Sequence, residues 1–253
     1  MTFRELYNEL DKKYKKSLSC EWDNDGIMCM PSPDKKVEKV LVSLDITEDV
    51  VDFAIENGFD AIISHHPLIF KSQSSLSTDN HIQRKVIKLV KNNINAMSFH
   101  TRLDAANGGV NDALCNVLGF KSVTVDELDP IGRIAVLDKE CSLREFSKSV
   151  KENLGSPCVL FSGKRGVKKV YVCGGDGKDM IPLAIANGVD TLLTGRASYN
   201  TMIDAPDIGL NIVEAGHFYT EDPVCIDLMN AIYGIDNAIK TEKYDSNNIC
   251  IIK

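Results

Sequence analysis

The run Ala54-Ile55-Glu56-Asn57-Gly58-Phe59-Asp60-Ala61-Ile62-Ile63-Ser64 returns as Ala184-Ile185-Ala186-Asn187-Gly188-Val189-Asp190-Thr191-Leu192-Leu193-Thr194, at an offset of 130 residues. At the same offset Lys39-Val40-Leu41-Val42-Ser43 matches Lys169-Val170-Tyr171-Val172-Cys173. Each copy reads as a strand, a helix, a glycine stop and a short buried strand. Val50, Val51, Ala54 and Ile55 recur at helical spacing, and Gly58 suits the left-handed residue that ends a helix. Strands alternating with helices of this length imply βαβ units, a mainly parallel sheet and an α/β fold. Two βαβ units share a grammar by chance, but the in-register Asn-Gly-x-Asp favours internal duplication over convergence.

The expected organisation is two α/β lobes, 1–125 and 126–253, with Asp126-Glu127-Leu128-Asp129-Pro130 as the hinge. The second lobe contains a small inserted β-α-β segment over about 131–161, with Ile131–Leu137 and Cys158–Phe161 strand-like and Leu143–Leu154 helical. At the N-terminus Thr2 and Glu5 can form a capping box, with Phe3, Leu6, Tyr7 and Leu10 on one apolar face.

A chain of 253 residues with 43% hydrophobic and 26% charged residues has ample material for buried cores. The net charge of −7 and the lack of a basic domain argue against tracking a DNA or RNA backbone. The basic stretch Ser162-Gly163-Lys164-Arg165-Gly166 reads as a turn between strands. No apolar run is long enough to cross a bilayer, so no membrane partner is expected. The eight cysteines show no CxxC spacing and several sit in apolar runs, which reads as reduced thiols in a cytoplasmic protein.

Four of the five histidines stand where an apolar run ends. Ile62-Ile63-Ser64 leads into His65-His66-Pro67. Met97-Ser98-Phe99 leads into His100, with Asp104 four residues on, and Val213-Glu214-Ala215-Gly216 leads into His217, with Glu221 four residues on. Only His81 falls outside the pattern, at a helix start. Strand ends of α/β proteins open into ligand crevices, and imidazole with carboxylate is the ligand set of zinc, iron and manganese. His65, His66, Asp104, His217 and Glu221 are therefore the candidate metal ligands, drawn from both lobes and expected to meet in the cleft between them. Five ligands exceed the need of one tetrahedral catalytic ion and suit two divalent ions ~3.5–4 Å apart. Glu221, one methylene longer than Asp104, is the choice for a bridge. His100 is a candidate general acid or support for a ligand, or else a buried histidine bonded to backbone.

The segments Ser64-His65-His66-Pro67-Leu68-Ile69-Phe70, His100-Thr101-Arg102-Leu103-Asp104 and Ala215-Gly216-His217-Phe218-Tyr219-Thr220-Glu221 resemble the signature blocks of the YbgI-like dinuclear-metal family, whose members are often called GTP cyclohydrolase type 2 homologs. Trp22-Asp23-Asn24-Asp25-Gly26, Leu44-Asp45-Ile46-Thr47, Gly108-Gly109-Val110-Asn111-Asp112 and Gly174-Gly175-Asp176-Gly177 match further blocks. Carried over residue by residue, the resemblance implies the same five ligands, and it implies a ring-shaped homohexamer. The chain departs from the pattern at Tyr199-Asn200, where many relatives have a histidine after the tyrosine.

Two functions fit these readings. One is a metal-dependent hydrolase acting on a nucleotide or another small molecule, with GTP cyclohydrolase-like chemistry implied by resemblance alone. The other is a metal-handling or interaction protein without turnover. Arg102 reads equally as a clamp for phosphate or carboxylate and as a surface cation, Gly174–Gly177 as an anion cradle or a tight βα turn, and Trp22 as a base-stacking lid or a subunit contact.

Overall fold

A computed structural model describes residues 1–250. In chain order the elements are α1 (Phe3–Lys13), β1 (Gly26–Cys29), β2 (Lys39–Ser43), α2 (Glu48–Glu56), β3 (Ala61–Ser64), α3 (His81–Lys91), β4 (Asn95–Ser98), α4 (Thr101–Ala105) and α5 (Val110–Val117). There follow β5 (Ser122–Val125), β6 (Arg133–Cys141), α6 (Leu143–Leu154), β7 (Leu160–Ser162), β8 (Val167–Asp176), α7 (Ile181–Ala186), β9 (Thr191–Arg196), α8 (Tyr199–Asp204), β10 (Asn211–Glu214), α9 (His217–Glu221), α10 (Val224–Ile235) and β11 (Lys240–Lys243). The chain is a mixed α/β protein with two sheets, as the alternating pattern predicts. No helix among the described residues is long and apolar enough to cross a membrane.

The chain divides into two compact units, one of Met1–Leu103 with Cys225–Ile249 and the other built from Asp104–Val224. This differs from a division after residue 125. One reason is a long-range pairing: β11 adds to the first sheet beside β2, with Lys240 opposite Lys39, and that pairing leaves no local sequence signal. On the other side of the expected boundary β5 pairs with β6 and so belongs to the second sheet. The stretch expected as a hinge is fixed within the second unit. Asp126 is buried and accepts hydrogen bonds from the Tyr171 hydroxyl (2.8 Å) and Asn187 Nδ2 (3.0 Å).

The first sheet runs β1-β4-β3-β2-β11, parallel except for β1. Leu41, Ile62 and Ala96 pack on one face against Val50, Val51 and Ala54 of α2 and Val86 and Leu89 of α3. Their neighbours Val40, Val42, Ile63 and Met97 are fully buried as well. A sheet covered on both faces requires the near-continuous apolar runs seen in these strands. The N-terminal capping box forms as expected, with Thr2 Oγ1 accepting from Glu5 N and Glu5 accepting from Thr2 N.

The second sheet runs β5-β6-β8-β9-β10-β7, with β8, β9 and β10 parallel. Val170, Val172, Leu193 and Val213 pack against Phe146 and Val150 of α6 and Leu114 of α5, while Tyr171, Cys173, Leu192 and Ile212 form a second core with Ala184. The expected β-α-β insertion corresponds to β6, α6 and β7. The basic stretch is a turn between β7 and β8, as read, but the two strands it joins do not pair with each other, since β7 pairs with β10. Asn211 staples the turn instead, its side chain bonding Arg165 N and O at 3.1 Å each.

At the offset of 130 residues several hydrogen bonds recur. Asp60 Oδ2 accepts from the amides of Glu38 (2.8 Å) and Lys39 (3.0 Å), and Asp190 Oδ2 from those of Lys168 (2.9 Å) and Lys169 (2.7 Å). Lys39 Nζ donates to Asn57 O, and Lys169 Nζ to Asn187 O. Gly58 and Gly188 turn out of their helices at φ +65 and +60, conformations that favour glycine. Each aspartate thus ties the start of one strand to the loop before the next.

Replacing Asp60 or Asp190 by alanine leaves two amides without their acceptor and should cost about 1–3 kcal/mol in urea unfolding. Burial works to raise the Asp60 pKa, but Lys35 and the two amides outweigh it and hold the carboxyl below its ordinary range. A depressed carboxylate pKa stabilises above the unfolded-state value and loses that contribution as pH falls through the folded value. The gap between wild type and Asp60→Ala should therefore be widest at neutral pH and close below about pH 4. A gap constant down to pH 2 would contradict the assignment.

Candidate metal centre

Parallel pairing aligns Ser43, Ser64 and Ser98, the last residues of β2, β3 and β4. Two positions beyond each serine stand Asp45, His66 and His100, with His65 just before His66. The Ser43 hydroxyl donates to Asp45 O (2.8 Å) and the Ser64 hydroxyl to His66 O (2.7 Å), which sets the direction of the chain as it leaves each strand. Backbone bonds from His66 N to Leu44 O (2.9 Å) and from Phe99 N to Ser64 O (3.0 Å) keep these exits side by side.

The three imidazoles converge. His65, His66 and His100 offer ligand atoms lying within 4.8 Å of one another. Each ring is held through Nδ1: that of His65 by Phe99 O (2.9 Å), that of His66 by Asp45 Oδ1 (2.8 Å) and that of His100 by Asp23 Oδ1 (2.8 Å). A carbonyl oxygen and an ionised carboxylate only accept, so in the neutral ring Nδ1 carries the proton and Nε2 the lone pair. Metal-binding histidines are oriented in this way by the partner of their second nitrogen. His65 and His66 lie beyond the end of β3, so the alternation of an extended strand does not separate them, and their ring centroids are 4.8 Å apart.

Asp23 and Asp25 come from the loop after α1. Burial works to raise the Asp23 pKa, but hydrogen bonds from His100 and Thr101 prevail and hold the carboxyl far below its usual range. Arg102, read from sequence as a clamp or a surface cation, is fully buried. It grips Asp25 bidentately at 2.9 Å through Nε and Nη2, and its Nη1 reaches Asp11 Oδ1 (2.6 Å) and Tyr14 O (3.1 Å). Its hydrogen bonds go to the acidic loop and α1, so its work is to fix that loop.

In the second unit the residues 130 positions after Leu44, Asp45 and His65 are Gly174, Gly175 and Gly195. They form a floor for α9. A Cβ on Gly175, whose φ is +65, would lie 2.1 Å from Glu221 Oε1, and one on Gly195 would lie 2.4 Å from Thr220 Oγ1 and 2.8 Å from His217 Cα. A side chain at Gly195 would meet the backbone of α9 itself, and one at Gly175 would displace the Glu221 carboxylate. Gly174 N donates to Asn111 Oδ1 (2.7 Å) and Gly175 N to Thr220 Oγ1 (3.1 Å). The glycines thus serve close packing, the βα-turn reading, and these two amides are occupied rather than turned to an anion. Resting on this floor, α9 carries His217 and Glu221 one turn apart, with Nε2 and Oε2 at 2.9 Å.

Asp104 lies on α4, which begins directly after His100, and its carbonyl accepts from Asn111 Nδ2 (3.3 Å). Asp104 and Glu221 offer carboxylate oxygens within 4.8 Å of each other, and after burial their charges help to push the Cys173 thiol up. Within the first unit, then, His65 and His66 meet His100, and within the second Asp104 and Glu221 lie near Cys173 and His217 pairs with Glu221. Tyr199 and Asn200 are exposed at the start of α8. The sequence reading assigned no role to Asp45 or Asp23. The strand-end rule that found the histidines finds Asp45 too, once applied to carboxylates. Asp23 lies 77 residues from His100 and only its family block marked it.

The profile of the Duf34/NIF3 family (NGG1p interacting factor 3) matches residues 1–248. A protein of Clostridium perfringens named GTP cyclohydrolase 1 type 2 homolog is 35% identical over 234 residues, covering 89% of each chain. The crystal structure of Staphylococcus aureus hypothetical protein SA1388 superposes with a TM-score of 0.90 at 28% identity, over 100% of this chain and 99% of that one. Protein ybgI, described as of unknown function, superposes with a TM-score of 0.88 at 25% identity, over 98% and 99% of the two chains. The family profile spans both sheets and every histidine-bearing strand end, and the chain belongs to the Duf34/NIF3 family.

Proposed function

We propose that His65, His66, Asp104, His217 and Glu221 hold two divalent transition-metal ions, zinc, iron or manganese, and that the protein is a metal-dependent hydrolase of a nucleotide or another small molecule. The observation that carries this reading is the set of anchored imidazoles, whose Nδ1 atoms are occupied by Phe99 O and Asp45 and whose Nε2 atoms are thereby left basic. Such a donor set of neutral imidazoles and carboxylates fits these ions. Bound there, they would act as Lewis acids and lower the pKa of water at neutral pH.

The chain's own residues would do the rest. Asp45 and the Phe99 carbonyl keep His65 and His66 in the ligating tautomer. Glu221, which has two oxygens and reaches further than Asp104, would be the bridging ligand, and His100, whose Nδ1 is held by Asp23, would serve as the general acid. The name GTP cyclohydrolase 1 type 2 homolog, borne by the Clostridium perfringens relative, motivates a nucleotide as the first substrate class to test. A cytoplasmic location belongs to this reading through the reduced thiols inferred from the cysteine pattern, and a homohexamer through the resemblance; light scattering of the purified protein checks the mass.

Elemental analysis should find close to two ions per chain. His65→Ala/His217→Ala should lose most of the metal with its helical circular dichroism intact, and Glu221→Gln should lose more than Asp104→Asn. A fully loaded double variant, or equal losses in the two carboxylate variants, would contradict the ligand or bridging assignment respectively.

Turnover is tested with GTP, other nucleotides and simple phosphoesters on the zinc, manganese and iron(II) forms. Hydrolysis should appear, and His100→Ala should lower kcat while leaving metal content unchanged. Metal that exchanges readily with no turnover on the whole panel would favour a metal-handling role instead. Loss of metal in His100→Ala would make that residue a ligand.

A further inference from the structure

Trp22 is the chain's sole tryptophan, and it is 64% exposed in a loop that is otherwise tied down on every side. Ser19 bonds Asp25, and Cys20 N donates to Thr101 Oγ1 (2.9 Å). Asp23 accepts from His100 Nδ1 and from Thr101 N and Oγ1, Asn24 donates to Ile69 O, and Asp25 is gripped by Arg102. A floppy loop exposes a tryptophan by default. A loop fixed at these neighbours exposes it because the backbone holds it there, forgoing the burial of one of the largest apolar side chains.

The ring does not stand alone. Its centroid is 6.1 Å from that of Phe70, itself 44% exposed, and 6.2 Å from that of His100. Phe70 and His100 are 6.3 Å apart with their planes at 87°. The three rings meet edge to face, and such contacts cover little of the indole, in line with its exposure. His100 in turn has its centroid 5.2 Å from that of His65 and 5.6 Å from that of His66. One wall of the aromatic corner is therefore a member of the histidine cluster.

We propose that Trp22 and Phe70 form a stacking platform for a planar heteroaromatic ring, the base of a nucleotide, docked beside His100. The inference deepens the hydrolase reading by naming the part of the substrate that docks, and it rests on that reading only for the chemistry that follows. Every base offers a π-face, and stacking on an aromatic side chain is sequence-tolerant and favourable. Preorganisation by the tethers lowers the ordering cost of binding. A second copy of the chain seated here would cover the indole without nucleotide, an outcome that the concentration dependence of its emission tests.

The single tryptophan makes the test direct, because all indole emission reports from this corner. GMP is titrated into metal-free and zinc-loaded protein, with ribose 5-phosphate and inorganic phosphate as controls. Saturable quenching by GMP in both forms, with none by either control, is expected. Phe70→Ala, followed by fluorescence, and Trp22→Ala, followed by equilibrium dialysis, should each weaken GMP binding about tenfold to a hundredfold while metal content and circular dichroism stay unchanged. Absence of base-dependent quenching, or a Trp22→Ala variant that binds GMP as well as wild type, would overturn the proposal. So would indole emission that shifts with protein concentration in the absence of nucleotide, since a second copy would then cover the ring. Quenching that persists in a protein shown to bind no metal would sink the metal reading and leave the platform standing.

Discussion

The parallel register of β2, β3 and β4 is the constraint on which the rest depends. It brings three serines level and so delivers Asp45, His66 and His100 at the same height, two residues past each strand end. A one-residue slip in any strand would exchange its two faces and carry its Asp45, His66 or His100 away from the others. The register is in turn set by buried runs such as Val40–Val42 and Ala61–Ile63 and by the Asp60 carboxylate, which ties the amides of Glu38 and Lys39 to the loop ahead of β3. Core packing and site geometry are one problem in this sheet.

The second unit repeats the scaffold and changes what stands on it. Its Asp190 and Asn187 repeat the strand-start bonds that Asp60 and Asn57 make in the first unit, yet glycines occupy the places of Leu44, Asp45 and His65. One copy carries imidazoles at the strand ends themselves. The other clears its strand ends so that a short helix can lie on them and carry His217 and Glu221. An origin by duplication accounts for both the shared bonds and the division of labour, and remains our proposal.

What could be read from the sequence was local. The strand-helix-glycine pattern, the α6 span, the N-terminal capping box and the histidines at strand ends all follow from short-range periodicity and turn chemistry. The misses were long-range. The return of β11 to β2, the burial of Asp126 by Tyr171 and the pairing of Arg102 with Asp25 join residues far apart in the chain. The role of Gly174 and Gly175 was open for the same reason, because the group that requires a missing Cβ lies more than forty residues downstream on α9. Asp45 was within reach and was passed over because only imidazoles were sought at strand ends.

The central claim is that backbone and carboxylate acceptors lock the ligating histidines so that Nε2 faces the metal. Crystals of the metal-loaded protein, with diffraction data collected at the absorption edge of the bound element, test it directly. The account predicts anomalous density about 2.0–2.1 Å from Nε2 of both His65 and His66, with Nδ1 still on Phe99 O and Asp45. Density at Nδ1 of either ring, or a saturated protein with none at these two rings, would contradict it.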